Sequence, residues 1–299
     1  TGLPAFHPSF DLPIDGVLHA DSPHFYRYCE PGETEDQFVQ RVASNLDRMI
    51  GEAGPENIAA FIVEPVQGAG GVVVPPDGYF TAVDAVLRKH SIPMIDDEVI
   101  CGFGRTGNPF GYQTMGFHPA TFSLAKGLSS AYLPISAVLV PDWMYDALVE
   151  DSASHGPFSH GFTYSGHPVS AAVALRSIEL MEERDLFAHA AEIAGPFQQH
   201  LRSFQDHPLV GEARGIGMIG ALELVANKET KERFDPKQAV GLDCMNRCLD
   251  HGLIVRALGD TICFCPPLVI TLDQIDELFT KFRKALDETL ESRSGWVPT

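Results

Sequence analysis

The chain has 299 residues, 44% hydrophobic and 20% charged, a globular composition with room for one large or two modest domains and unlike a disordered or fibrous chain. Twenty-one basic against 40 acidic residues leave a formal net charge of -19, and a surface this acidic repels phosphate backbones and anionic headgroups, which argues against nucleic-acid and membrane partners. No run reaches the roughly 18 apolar residues of a membrane span, and the start lacks a basic-then-apolar signal pattern. The chain opens on Thr1 rather than Met, as a processed, trimmed or incomplete chain would.

Residues 1–33 carry Pro4, Pro8, Pro13, Pro23 and Pro31 and read as extended connection. Thr34 and Gln37 form a capping pattern, followed at helical spacing by Phe38, Val42, Leu46, Met49 and Ile50, which predicts a helix over 34–50. An apolar run at 58–63 ends in Glu64-Pro65, and another at 92–95 ends in Asp96-Asp97. With a helical stretch at 79–90 between them, they predict buried parallel strands in β-α-β order, continued by 121–125 and 135–140. Polar residues then cluster at strand ends, where open parallel sheets hold ligands.

A long helix over 166–184 is expected to link this α/β region to a second one. There, helices at 186–204 and 236–251 alternate with strand-like 216–225, 253–256 and 261–265. A last helix carries Ile275, Leu278, Phe279, Phe282, Leu286 and Leu290 in phase. The expected division is a larger domain over 1–180 and a smaller C-terminal α+β domain over 181–299.

The six cysteines include no C-x-x-C pair and read as reduced core thiols of a cytoplasmic protein. A zinc site from Cys244, Cys248, Cys263 and Cys265 would lack any histidine at a ligand-like interval, so no metal is read. Gly102, Gly104 and Gly107, and again Gly215, Gly217 and Gly220, satisfy G-x-G-x-x-G literally. Neither set opens a helix after a strand, so both read as tight turns or close backbone approaches.

Six of the seven lysines lie in polar or amphipathic helical contexts. Lys126, in SLAKGLSS, follows an apolar strand instead, where a charged ammonium is costly to bury. A desolvated lysine becomes an amine nucleophile or Schiff-base former; the other reading is a side chain that snorkels to the surface. Asp97, at the end of the preceding strand, reads either as an ordinary cap or salt bridge or as the partner of a cationic pyridine nitrogen. Taken together, Lys126 and Asp97 favour pyridoxal phosphate.

The stretches AAFIVEPVQGAGG, IDDEVICGFGRTG, SLAKGLSS, GFTYSGHPVSAA and GLIVRALGDTICFCPPLVIT, in this order, resemble the class III aminotransferases of PLP fold type I, nearest the amine or ω-amino acid:pyruvate subgroup. The resemblance implies an α/β large domain with a mainly parallel sheet, incomplete at its N-terminus, plus the smaller α+β domain. It implies pyridoxal 5'-phosphate as cofactor and transfer of an amino group from an amine or ω-amino acid to a keto acid such as pyruvate. It also implies a homodimer or dimer of dimers.

By the same resemblance Lys126 matches the Schiff-base lysine, Asp97 the pyridinium partner, Val99 the aliphatic residue on the ring face and Glu64 the glutamate beside the ring hydroxyl. Thr163 matches the threonine that reaches the phosphate of the neighbouring subunit, and Arg256 the mobile arginine for a substrate carboxylate. Ala69 and Cys263 depart from the glutamate and arginine of ornithine- and γ-aminobutyrate-type relatives. Asp96 and Ala131 stand where smaller residues are usual. The family's phosphate-cradling turn belongs to an N-terminal third with no counterpart in residues 1–33, which fits either a fragment of a longer chain or a truncated, cofactor-poor homologue without activity. Another PLP reaction, such as decarboxylation, racemisation or an aminomutase step, is the remaining alternative.

Overall fold

A reciprocal cap sets the start of the first long helix. The Gln37 backbone N–H donates to the Thr34 hydroxyl at 3.3 Å, and the Thr34 N–H donates to the Gln37 side chain at 2.9 Å, which satisfies two orphan donors for about 1 kcal/mol. In the computed structural model, which describes residues 2–293, α2 (Glu35–Ala53) grows from this cap. The segment before it is less extended than its prolines suggest: it includes a 3-10 helix at Pro4–Ser9 and the single-turn α1 (Phe25–Tyr28).

The first sheet has the order β1 (Phe61–Val63), β2 (Met94–Asp97), β3 (Thr121–Leu124), β4 (Ala137–Leu139). β1, β2 and β3 are parallel, crossing over through α3 (Tyr79–Lys89) and the short α4 (Gly111–Met115). Phe38, Val42 and Leu46 of α2 and Val83 and Leu87 of α3 close over Val63 and Met94 in one buried core. β4, expected to extend the parallel series, runs antiparallel to β3. Residues 125–136 hold one 3-10 turn and no α-helix, and a parallel crossover needs a longer connection.

α5 (Asp142–His155) has no counterpart among the expected elements. It buries none of its residues, so it carries no apolar stripe to betray it. α6 (Pro168–Glu183) and α7 (Leu186–Arg202) lead to the second sheet. That sheet is wholly antiparallel, in the order β5 (Val210–Ile216), β6 (Ile219–Leu224), β8 (Thr261–Phe264), β7 (Arg256–Leu258). Its own core, formed with α7, α8 (Val240–Asp250) and the capped α9 (Leu272–Glu291), includes Phe197, Leu201, Leu222, Ile262 and Phe282.

Two expectations shift here. The single strand expected over 216–225 is the second arm of a hairpin, turned at Gly217 with φ +55°. A Cβ on Gly217 would lie 2.3 Å from the Thr106 carbonyl carbon, so this glycine serves a close backbone approach. The strand expected at 253–256 begins where it was expected to end, at Arg256.

Candidate active site

Parallel register brings three strand ends side by side. Val63 pairs with Asp96 and Asp97 pairs with Ser123, so Glu64 just after β1, Asp97 at the end of β2 and Lys126 just after β3 lie along one edge, the carboxyl edge where open α/β sheets hold ligands. Their charges act on one another: both Asp97 and Lys126 bear on the Glu64 carboxyl.

The Glu64 carboxylate accepts the Gly68 N–H through Oε2 at 2.9 Å. Burial pushes its carboxyl above the usual range and the negative Asp97 adds to this, while the Gly68 bond and Lys126 act the other way. Asp97 is half-buried. Its Oδ1 accepts the Val99 N–H at 3.1 Å, an Asx-type bond that fixes the carboxylate and leaves Oδ2 uncommitted among the described residues. Glu64 and Asp97 border a cleft of about 1720 Å³, whose wall also includes His19, Gln67, Arg214 and Leu258.

Lys126 departs from its expected setting. Its side chain is exposed rather than desolvated, because the residue lies beyond β3 on a 3-10 turn (Lys126–Leu128) outside the sheet. The backbone there is left-handed, with φ +40°, an uncommon conformation for a lysine and one that clusters at functional sites. Val99 is half-buried in the turn after β2. Thr163, between α5 and α6, is exposed and does not border the cleft. Arg256 is exposed at the start of β7 opposite Cys263. Burial pushes the Cys263 thiol up to about 11, while Arg214 and Arg256 oppose the rise.

The donor set suits pyridoxal phosphate at its amine and ring ends. An amine without a hydrogen bond among the described residues stands one strand away from a carboxylate with a free oxygen, and a half-buried acid, Glu64, lies on the far side of that carboxylate. These are the groups an aldehyde and a pyridine nitrogen require.

Two features escaped the sequence. Arg214 is buried and ties the second sheet to the Glu64 loop, donating to the Gly71 carbonyl through Nη2 at 2.7 Å and to the Glu223 carboxylate through Nη1 at 2.7 Å. Its signal is an arginine within E-A-R-G-I-G-M. Glu223 also accepts from Arg27, and the neighbouring Glu212 meets His24 at 2.9 Å. The second feature is a carboxyl pair, Asp96 and Glu98, behind the site.

A family model described as aminotransferase class-III matches residues 14–286. The chain is 49% identical over 289 residues to gamma aminobutyrate transaminase 3, chloroplastic, of Solanum lycopersicum, covering 97% of this chain and 56% of that protein. It is 50% identical over 290 residues to the putrescine–pyruvate aminotransferase of Pseudomonas aeruginosa, covering 96% of this chain and 62% of that one. The solved omega transaminase of Pseudomonas jessenii in complex with PMP superposes with a TM-score of 0.96 at 45% identity, covering 98% of this chain and 65% of that one. The chain thus spans less than two thirds of the length of these two curated relatives.

Proposed function

The chain belongs to the class III aminotransferases, whose cofactor is pyridoxal 5'-phosphate, and from that premise we propose that it is the larger part of an enzyme moving an amino group from an amine or ω-amino acid to a keto acid, with pyruvate as acceptor. The observation that carries this reading is the alignment of Glu64, Asp97 and Lys126 at adjacent ends of three parallel strands, the two carboxylates bordering the cleft and Lys126 exposed outside its lining. When bound, the cofactor supplies an electron sink for the pair left on the donor carbon after deprotonation.

This chain's residues do the rest. The Lys126 Nζ holds the cofactor and then carries the proton that leaves the donor carbon, and its exposure leaves it free to swing between those tasks. Asp97, braced by the Val99 N–H, offers Oδ2 to the ring nitrogen. Val99 would pack on the ring face, and Glu64 would stand beside the ring hydroxyl. Arg256, exposed at the start of β7, would take the keto-acid carboxylate as a two-pronged donor and turn to solvent when an amine enters.

A second copy completes the site in this reading. Trp143 and Tyr145 on α5, and Phe162 and Tyr164 on either side of Thr163 in the chain, are all more than half exposed, apolar area of the kind that association covers, and Thr163 is itself exposed, available to a neighbouring subunit's phosphate. We divide the chain functionally at about residue 180, in keeping with the separate cores of the two sheets. A cytoplasmic setting is supported by six free cysteines, and no described helix is long and apolar enough to cross a membrane.

The test is a panel of amines and ω-amino acids incubated with the full-length protein, its cofactor and pyruvate. Alanine formed in step with donor loss is expected. Donor-derived carbon dioxide without alanine would replace this reading with a decarboxylase.

A further inference from the structure

Asp96 and Glu98 are both fully buried, each at 0% exposure. They are two residues apart, so strand alternation places them on the face opposite Asp97. The Glu98 carboxylate is well supplied with donors, accepting the Gly111 N–H through Oε2 and the Tyr112 N–H through Oε1, each at 2.9 Å. Among the described residues neither carboxyl oxygen of Asp96 has a donor.

Among the described residues no cation bears on Asp96. Its strand neighbours in register are Val63 and Phe122, and the charges that reach it, those of Glu98 and Asp97, are both negative. The turn after β2 adds the Cys101 thiol, itself raised by burial, and the two amides at the start of α4 go to Glu98. An ionised Asp96 would be a buried, unpaired charge against a like charge, the costliest arrangement available to a carboxyl. As a neutral acid it gains an O–H to give, and the buried Glu98 carboxylate two residues on, whose charge bears on it, is an acceptor for that proton.

We propose that Asp96 and Glu98 share a single proton, Asp96 standing as a neutral acid that donates to the Glu98 carboxylate and so latches the end of β2 to the start of α4. Glu98 is already a junction: its N–H donates to the Ser123 carbonyl at 3.0 Å and its own carbonyl accepts the Gly102 N–H at 2.9 Å. The Asp96 proton adds the bond that holds this junction to the strand from which Asp97 faces the cleft, which makes Asp96 a positioning residue. Burial foremost, then the Glu98 charge, pushes the Asp96 carboxyl up to about 9, so the proton stays on through neutral pH. The latch does not depend on which reaction the site performs.

Urea unfolding of the full-length protein from pH 6 to 8.5 tests it. An ordinary unfolded aspartate releases its proton near 3.9, so the native state retains a proton that the unfolded state has lost. Stability therefore falls as pH rises between about 4 and 9, by roughly tenfold in the unfolding constant per pH unit from this one proton. Asp96→Asn keeps a donor for Glu98 and has no proton to lose, so its slope against pH is expected to differ from wild type by one proton; identical slopes overturn the proposal. Asp96→Leu is expected to share the altered slope yet unfold at lower urea than Asp96→Asn, and equal midpoints overturn the latch. If neither variant folds, infrared spectra of wild-type protein with isotope-labelled aspartate decide the matter: a protonated aspartic acid carbonyl band at pH 7.5 that vanishes above about pH 9 is expected, and its absence at pH 7.5 overturns it.

Discussion

The Arg214 guanidinium donates to the Gly71 carbonyl at 2.7 Å through Nη2 and at 3.0 Å through Nε, joining residues 143 positions apart. The same side chain reaches the Glu212 and Glu223 carboxylates, so one buried arginine holds the antiparallel sheet to the loop that begins with Glu64. Removing it takes one donor from each carboxylate, leaving Glu223 with Arg27 and Glu212 with His24, and takes the guanidinium donors from the Gly71 and Val72 carbonyls. Arg214→Ala is expected to destabilise the fold by about 3–5 kcal/mol in urea unfolding. Arg214→Lys is expected to recover only a small part, since an ammonium cannot serve a planar fork of partners.

Acid should expose the same network. Burial alone would raise the Glu223 carboxyl, but Arg214 and Arg27 outweigh it and hold the group below its usual value. A carboxyl lowered on folding stabilises the protein above about pH 4.5, the unfolded value, and that contribution is lost as pH falls below it. Wild-type protein should therefore lose stability on acidification more steeply than Glu223→Gln, as read by thermal melts between pH 6 and 3.

For Asp97, the Val99 N–H bond separates folding from function. Asparagine keeps an oxygen for that bond, so Asp97→Asn should retain near-native thermal stability. It surrenders a charge-assisted bond to the ring nitrogen worth about 1.5–3 kcal/mol, and kcat should fall about 10- to 100-fold. Near-normal turnover would move the role to another group.

Borohydride reduction of the cofactor-loaded protein, followed by peptide mapping, should place the pyridoxyl label on Lys126. Lys126→Ala should lower kcat by at least 10²- to 10⁴-fold, the range for loss of one positioned proton carrier. A label on any other lysine would displace this assignment.

Arg256 has no hydrogen-bond partner among the described residues and stands exposed at the start of β7. Arg256→Ala should raise KM for pyruvate about tenfold or more while leaving the half-reaction with a simple amine almost unchanged, because an amine offers the guanidinium nothing to bind. An equal loss in both half-reactions would make its role structural.

The sequence by itself determined whatever rests on neighbours a few residues apart. The Thr34 capping box, the apolar faces of α2 and α9 and the short apolar runs that lead into Glu64 and Asp97 are local signals, and the helices and strands follow them closely. The family was legible for the same reason, since its motifs are short and continuous. Only the tertiary structure decided which way β4 runs, that α5 exists although it buries nothing, and that Lys126 projects into the open rather than into a dry pocket. Arg214 against Gly71 and the donorless Asp96 beside Glu98 belong to the same group. Each depends on burial and on partners from other strands and loops, and the free energy of a buried charge or an unpaired carboxyl is set by those distant neighbours rather than by the residues adjoining it in the chain.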